Sequence, residues 1–260
     1  LAKKIVEERV DTNNDEVLIE ARELSYQKLN ELVRHYLSEG RQKIVLKNVN
    51  GQRYIGSGLD NQAQITIIGT PGNDLAAFSD GVEIEVLGNV QDGTGNTMND
   101  GQLIIAGNAG DVLGYSMRGG EIYLEGDAGY RAGIHMKGFK DKIPEIIIGG
   151  NTGDFLGEYM AGGLLIVLGI NRDQGDSIIG NYTGVGMHGG VMYVREKVDP
   201  KKTGPAVKIE SLDIEDQNIL EDRVKKFCRY FNHDFATIMA ADFCKITPAS
   251  NRPYGSMYVH

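Results

Sequence analysis

The sequence contains no tryptophan, two cysteines and six prolines in 260 residues. Cys228 and Cys244 are too few for a disulfide framework or a four-ligand zinc site. Both stand in apolar contexts and read as packing residues rather than nucleophiles. Basic residues are also short: 27 Lys and Arg against 36 Asp and Glu leave a net charge of −9. That balance argues against nucleic acid or an anionic membrane surface as a partner, because both need basic patches. No apolar run approaches the length of a membrane span. The start, Leu1-Ala-Lys-Lys-Ile-Val-Glu-Glu-Arg, is charged and lacks the apolar core of a secretory signal. It begins with Leu, so the natural start need not be residue 1. Scarce cysteine and no signal together point to the reducing cytoplasm.

Catalytic signatures are equally scarce. The string Gly184-Val-Gly-Met-His-Gly matches the dinucleotide fingerprint but opens no helix in a βαβ unit. His35, His135, His188, His233 and His260 have no metal-ligand spacing. Glu83, Glu85, Glu121, Glu125 and Glu145 lie near strands and read as solvent-facing alternation rather than a paired-carboxylate site. The residues therefore assign no catalytic, cofactor-binding or metal-binding position.

What the chain has in abundance is glycine, at 35 residues, and it is periodic. Gly107, Gly110, Gly114, Met117, Gly119 and Gly120 precede the apolar run Glu121-Ile-Tyr-Leu-Glu. The spacing recurs at Gly126, Gly129, Gly133, Met136 and Gly138, and at Gly150, Gly153, Gly157, Met160, Gly162 and Gly163. Earlier and later copies keep Gly88, Gly95, Met98 and Gly101, and Gly180, Gly184, Met187, Gly189 and Gly190. Gly88, Gly107 and Gly126 are 19 residues apart, a period that marks a solenoid. Each unit holds one short β-branched run, and glycines so closely spaced exclude helices between the runs. Strand, corner, short strand, corner, stacked in parallel at about 4.8 Å per rung, makes a β-helix. The handedness rule for parallel crossovers predicts a right-handed one.

The expectation is an all-β core, a right-handed parallel β-helix over 43–195. An arm and a helix (1–42) precede it, and a linker, helices and extended tail (196–260) follow. The first helix spans Ala21–Glu39 with Gly40 past its end. A second begins at Asp213 or Asp216 and carries Ile219, Leu220, Val224, Phe227 and Phe231, and a short third covers Asp234–Asp242. The methionines at one position in five coils read as an internal ladder; a soft-metal stripe would need companion Cys or His ligands. Asn89, Asn108, Asp127 and Asn151 follow the first glycine of their units and are expected to bond nearby backbone in the turn. Insertions at Phe139–Pro144 and Ile170–Asp176 are expected to project from one face, where partners bind. The coil before the first one places Arg131, His135 and Lys137 close together, a cationic cluster that could meet an anionic ligand or an acidic neighbour.

The repeat Gly-x-x-Gly-x-x-x-Gly-x-x-Met-x-Gly-Gly, the helix with Ala21-Arg-Glu-Leu, the Asn50-Gly-Gln-Arg-Tyr-Ile-Gly corner and the ending Ile246-Thr-Pro-x-Ser-x-Arg-Pro-Tyr-Gly resemble the glycine-repeat domain at the C-terminus of the glutamate synthase large subunit. They are most similar to its stand-alone form, over most of residues 15 to 260. The resemblance implies a scaffold. In that family a glutamine amidotransferase domain supplies ammonia, and a barrel domain with FMN and an iron-sulfur cluster makes glutamate. The β-helix joins them and carries no catalytic residue. The expected partners are thus a glutamine amidotransferase subunit and an FMN-binding glutamate synthase subunit, with homo-oligomerisation open. FMN and the cluster are expected on those partners and no cofactor on this chain. A subunit of formylmethanofuran dehydrogenase carries a similar repeat and is the alternative. A carbohydrate-active β-helix enzyme is a more distant one.

Overall fold

The computed structural model describes residues 10–12, 16–60, 62–170 and 176–249. The fold is a parallel β-solenoid. Its strands are β1 (Val10–Thr12), β2 (Glu16–Glu20), β3 (Lys43–Asn50), β4 (Gln64–Thr70), β5 (Asp80–Leu87), β6 (Asp100–Ile105), β7 (Glu121–Leu124), β8 (Glu145–Ile148), β9 (Ala161–Val167), β10 (Gly189–Val194), β11 (Val207–Glu210) and β12 (Cys244–Pro248). They form one sheet in chain order, except that β12 lies between β10 and β11. Neighbours from β2 to β10 are parallel. The strands at both ends, β1 on one side and β12 and β11 on the other, are antiparallel. The helices are α1 (Tyr26–Ser38), α2 (Ile214–Phe231) and α3 (Phe235–Met239).

The solenoid is held by aligned aliphatic columns. One runs from Val17 through Ile44, Ile65, Ile84 and Leu103 to Met192, and a second from Ile19 through Leu46, Ile67, Val86 and Ile105 to Val194. These side chains are at most 2% exposed. At roughly 1.5–3 kcal/mol for each buried aliphatic side chain, every added coil contributes a similar increment. The short second strand of each unit survives as single parallel bridges, Val90 to Ala109 to Ala128 to Thr152. Met98, Met117, Met136, Met160 and Met187 lie inside, at most 2% exposed. Their ladder explains a glycine of each pair: a Cβ on Gly120, Gly163 or Gly190 would fall 2.5–2.9 Å from the methyl of Met98, Met136 or Met160.

The corners have an unusual backbone. In each coil three residues, two apart, take left-handed φ: Val112, Gly114 and Ser116; Arg131, Gly133 and His135; Phe155, Gly157 and Tyr159. The middle position points inward. A Cβ on Gly114 would lie 2.4 Å from Ile146 Cδ1, and on Gly133 2.5 Å from Leu165 Cδ1. The outer two positions point outward and accept side chains, although a left-handed non-glycine residue costs roughly 1–2 kcal/mol. Intercoil hydrogen bonds offset this at about 1 kcal/mol each. Val112 N–H donates to Tyr130 O, Gly114 N–H to Thr94 O and Ser116 N–H to Ile134 O.

The first coil has no predecessor, so its corner carbonyls need other donors. α1 supplies them: Asn30 Nδ2 donates to Arg53 O (2.9 Å) and Arg34 Nη2 to Ser57 O (2.5 Å). Ser25 caps the start of α1, and Gly40, at φ +85°, follows its end. Leu29, Leu32 and Val33 of α1 join the solenoid core.

Several expectations change. The N-terminal arm was expected to stay outside the solenoid, yet β2 is its first parallel strand, because Val17 and Ile19 continue the two core columns. Asn89, Asn108 and Asp127 bond between coils instead of within their turns, and Asn151 Oδ1 has no hydrogen-bond partner among the described residues. Asn89 Oδ1 accepts from Asn108 N, Asn108 Oδ1 from Asp127 N and Asp127 Oδ1 from Asn151 N, at 2.6–2.8 Å. The rung spacing brings the next coil's N–H nearer than any local one. The first insertion is a small hairpin, bridged between Phe139 and Lys142, and it lies back on the solenoid. Lys142 Nζ reaches Asp80 and Asp100, 2.9 Å from each. The second insertion falls largely on residues 171–175, and the tail beyond Ala249 on 250–260; both lie outside the described residues.

Substitution should separate space from backbone strain. A Cβ on Gly58, at φ +62°, meets nothing within 4 Å, so Gly58→Ala should cost only the strain, about 1 kcal/mol. Gly114→Ala adds the clash with Ile146 and should cost about 2–4 kcal/mol. Urea unfolding of both variants measures this; equal losses would show that the contact with Ile146 relaxes freely.

Candidate interaction surfaces

Two faces of the solenoid carry ordered polar and aromatic groups. On the outer face of the sheet, one row of side chains runs Val45, Thr66, Glu85, Ile104, Tyr123, Ile147, Ile166, Tyr193. It turns from polar to apolar where α2 covers it. Leu220, Val224 and Phe227 pack on Tyr123, Ile147 and Tyr193 as a second core. The glutamates read as solvent-facing are accordingly divided. Glu83 and Glu85 stay exposed. Glu145 is buried and grips Arg223 of α2 with both oxygens (2.5 and 2.6 Å). Glu121 takes Lys226 at 3.0 Å, and Glu125 lies 3.4 Å from His233 Nε2. The signal was the uninterrupted run Glu145-Ile-Ile-Ile, which marks a strand covered on both faces.

A single carboxylate joins three elements at the end of the stack. Asp216 of α2 accepts from Tyr193 Oη of β10 at 2.6 Å and from Lys245 Nζ of β12 at 2.7 Å. With Asp213 it also closes a capping box at the start of α2. Burial by itself would raise its pKa, but Lys245, Tyr193 and the Asp213 N–H outweigh that and hold the carboxyl below its ordinary value. Burial, with the hydrogen bond to the Asp216 carboxylate, pushes the Tyr193 phenol up.

Between α2, the first insertion and the uncovered strands lies a groove of about 960 Å³. Gln64, Glu83, Gln102 and Glu121 line it, with Lys142 and Lys226 at its sides. Its polar groups largely satisfy one another: Gln64 donates to Glu83 at 3.1 Å, Gln102 to Glu121 at 3.0 Å, and both flanking lysines hold carboxylates.

The other face is made by the corners. The outward left-handed positions stack along the solenoid: Arg131 lies 4.5 Å over the Phe155 ring, and Phe155 stacks on Tyr182 at 5.0 Å. In the adjacent column His135 stacks on Tyr159 at 5.3 Å and meets Tyr115 edge-on. The structure thus splits the expected cationic cluster. His135 and Lys137 share a small cleft with Arg118, which the sequence reading did not single out. Arg131 sits in the neighbouring column and pairs with Glu158 at 3.0 Å. Arg118 was legible only through the repeat, since it stands 19 residues before Lys137.

Cys228 is buried on α2, and burial, with Asp234 nearby, raises its thiol pKa. It fits packing and not nucleophilic chemistry. Among the described residues no three His, Cys, Asp or Glu converge as metal ligands, and no helix is long and apolar enough to cross a membrane.

Replacing Asp216 with Asn should destabilise the fold by about 2–3 kcal/mol at pH 7, because Lys245 loses its counter-charge. The folded pKa lies below the unfolded value of about 3.9, so the carboxylate's contribution is present above that pH. It is lost as pH falls through the folded value. The stability gap between the natural chain and Asp216→Asn should therefore narrow below about pH 4 in urea titrations; a constant gap would mean that charge plays no part.

Comparison with known proteins agrees with this geometry. The chain is 44% identical over 252 residues to the uncharacterized protein MJ1350 of Methanocaldococcus jannaschii, covering 94% of this chain and 97% of that one. The GXGXG motif family matches residues 42–250, which run from β3 through β12. With the glycine corners repeated through the solenoid inside that span, the chain belongs to the GXGXG motif family, the glycine-repeat family that its sequence resembles.

Proposed function

We propose that this chain is a non-catalytic structural subunit of a glutamate-synthase-like complex in the cytoplasm. It would hold a glutamine amidotransferase subunit and an FMN-binding synthase subunit together. FMN and the iron-sulfur cluster would reside on those partners. One observation carries the reading: the family match spans the solenoid, and the solenoid's ordered polar side chains join coil to coil. Asn89, Asn108, Asp92 and Asp111 each accept from the next coil's backbone. Asp216, Glu145 and Lys142 tie α2 and the insertion down. Such groups build a rigid spacer and leave the outer faces for partners. The exposed corner strip, with Arg131, His135 and Lys137, is the contact region this reading favours.

The test is reconstitution with the two purified partner subunits from the same organism. The expected outcome is a stable complex by size-exclusion chromatography with light scattering. Glutamine-dependent glutamate synthesis should need all three chains, while this chain alone turns over neither glutamine nor 2-oxoglutarate. Turnover by the pure chain would overturn the scaffold reading, and assembly with a pterin-metal subunit instead would favour the formylmethanofuran dehydrogenase alternative.

A further inference from the structure

Where the corner face meets the first insertion, the surface closes into a cleft of about 360 Å³ lined by Ser116, Arg118, His135, Lys137, Gly138 and Phe139. Two adjacent coils build it. Ser116 and His135 hold one repeat position, and Arg118 and Lys137 hold another two residues on. Rung spacing sets each pair about 4.8 Å apart at the backbone. The Arg118 N–H donates to Met98 O and the Lys137 N–H to Met117 O, so both side chains emerge from one column of the corner.

Every polar side chain in this cleft can donate a hydrogen bond, and none is engaged elsewhere. Among the described residues the guanidinium of Arg118, the ammonium of Lys137 and the hydroxyl of Ser116 have no ion-pair or hydrogen-bond partner. The His135 ring is placed by stacking on Tyr159 and edge contact with Tyr115, which leaves its nitrogens unbonded. No carboxylate lines the cleft. Several other cations are matched: Arg131 with Glu158, Lys142 with Asp80 and Asp100, Lys226 with Glu121, Arg223 with Glu145. On a chain of net charge −9, adjacent uncompensated cations repel each other and attract any anion that fits between them. Planar guanidinium donors suit carboxylate and phosphate oxygens. The exposed Phe139 ring gives the cleft an apolar lip, and its volume falls in the range of small-ligand sites, roughly 300–1,000 Å³.

We propose that this cleft binds an oxyanion, a carboxylate or phosphate group, held by Arg118 and Lys137 with Ser116 and His135 as further donors. The oxyanion comes either from a free small anion or from an acidic segment of a neighbouring protein. This is independent of the scaffold reading, because every donor belongs to this chain and the test needs no partner.

The purified full chain is titrated at low ionic strength with inorganic phosphate, citrate and a tetraglutamate peptide. Binding is followed by calorimetry and by the histidine ring resonances. Saturable binding should move the His135 signals and leave those of His35 and His188 in place. The double variant Arg118→Gln/Lys137→Gln should bind at least about tenfold more weakly, as expected for losing charge-assisted hydrogen bonds. Lys201→Gln/Lys208→Gln, on charges outside the cleft, should bind as the natural chain does. Thermal unfolding should be nearly the same for all three proteins, since the replaced side chains support no contact. Saturation by phosphate or citrate without the peptide identifies a free anion as the source. Tighter binding of the peptide identifies an acidic protein segment. No saturable shift of His135 with any of the three probes, or equal weakening in both double variants, would overturn the proposal.

Discussion

A backbone that turns left-handed at every second residue for three steps has few ways to be stable. Its side chains cannot all be large, and the N–H groups of its left-handed residues point along the solenoid axis, while the alternate ones, such as those of Tyr115 and Met117, bond back into their own turn. The corner therefore needs another coil on each side. The middle glycine lets the bend close over the core, where Ile146 or Leu165 fills the space a Cβ would take. The N–H groups on either side find carbonyls of neighbouring coils. Local strain is tolerated because the stack over-determines it. The ends then require special treatment. Asn30 and Arg34 of α1 stand in for the missing first coil, and antiparallel β12 and β11 close the last.

The same constraint sorts the surface. Outward corner positions are free to vary, and in the later coils they hold Arg131, His135, Phe155, Tyr159 and Tyr182. Regular stacking turns these separate residues into columns, so that rings and cations meet at about 5 Å without any dedicated loop. A repeat protein can thus build a recognition surface simply by choosing what it places at one repeat position. The uncompensated pair Arg118 and Lys137 is such a choice.

The outer face of the sheet is decided differently. Only where α2 crosses does the alternation of exposed and buried residues give way to burial on both faces. Glu145 and Glu121 then serve as anchors for Arg223 and Lys226. Asp216 locks the start of α2 to β10 and β12 through two other elements at once. Without the helix these carboxylates would be the ordinary solvent-facing residues that their spacing suggests.

The sequence by itself determined the coil. The 19-residue period, the inward aliphatic runs, the methionine column and the glycine positions are local requirements of one unit, and repetition makes them visible. The end of α1 and the start of α2 were legible for the same reason, since Gly40 and Asp213 act on their own neighbours, whereas α1 starts at Tyr26, capped by Ser25, and not at Ala21 as its sequence suggests. What only the tertiary structure decided is everything set by which residues a neighbouring coil or a distant helix brings close. The asparagine and aspartate bonds run between coils because the nearest N–H lies one rung away, and 19 or more residues on. The burial of Glu145 depends on a helix 78 residues later. The pairing of Arg131 with Glu158, and of Lys137 with Arg118 in one cleft, follows from the register of the stack rather than from proximity in the chain.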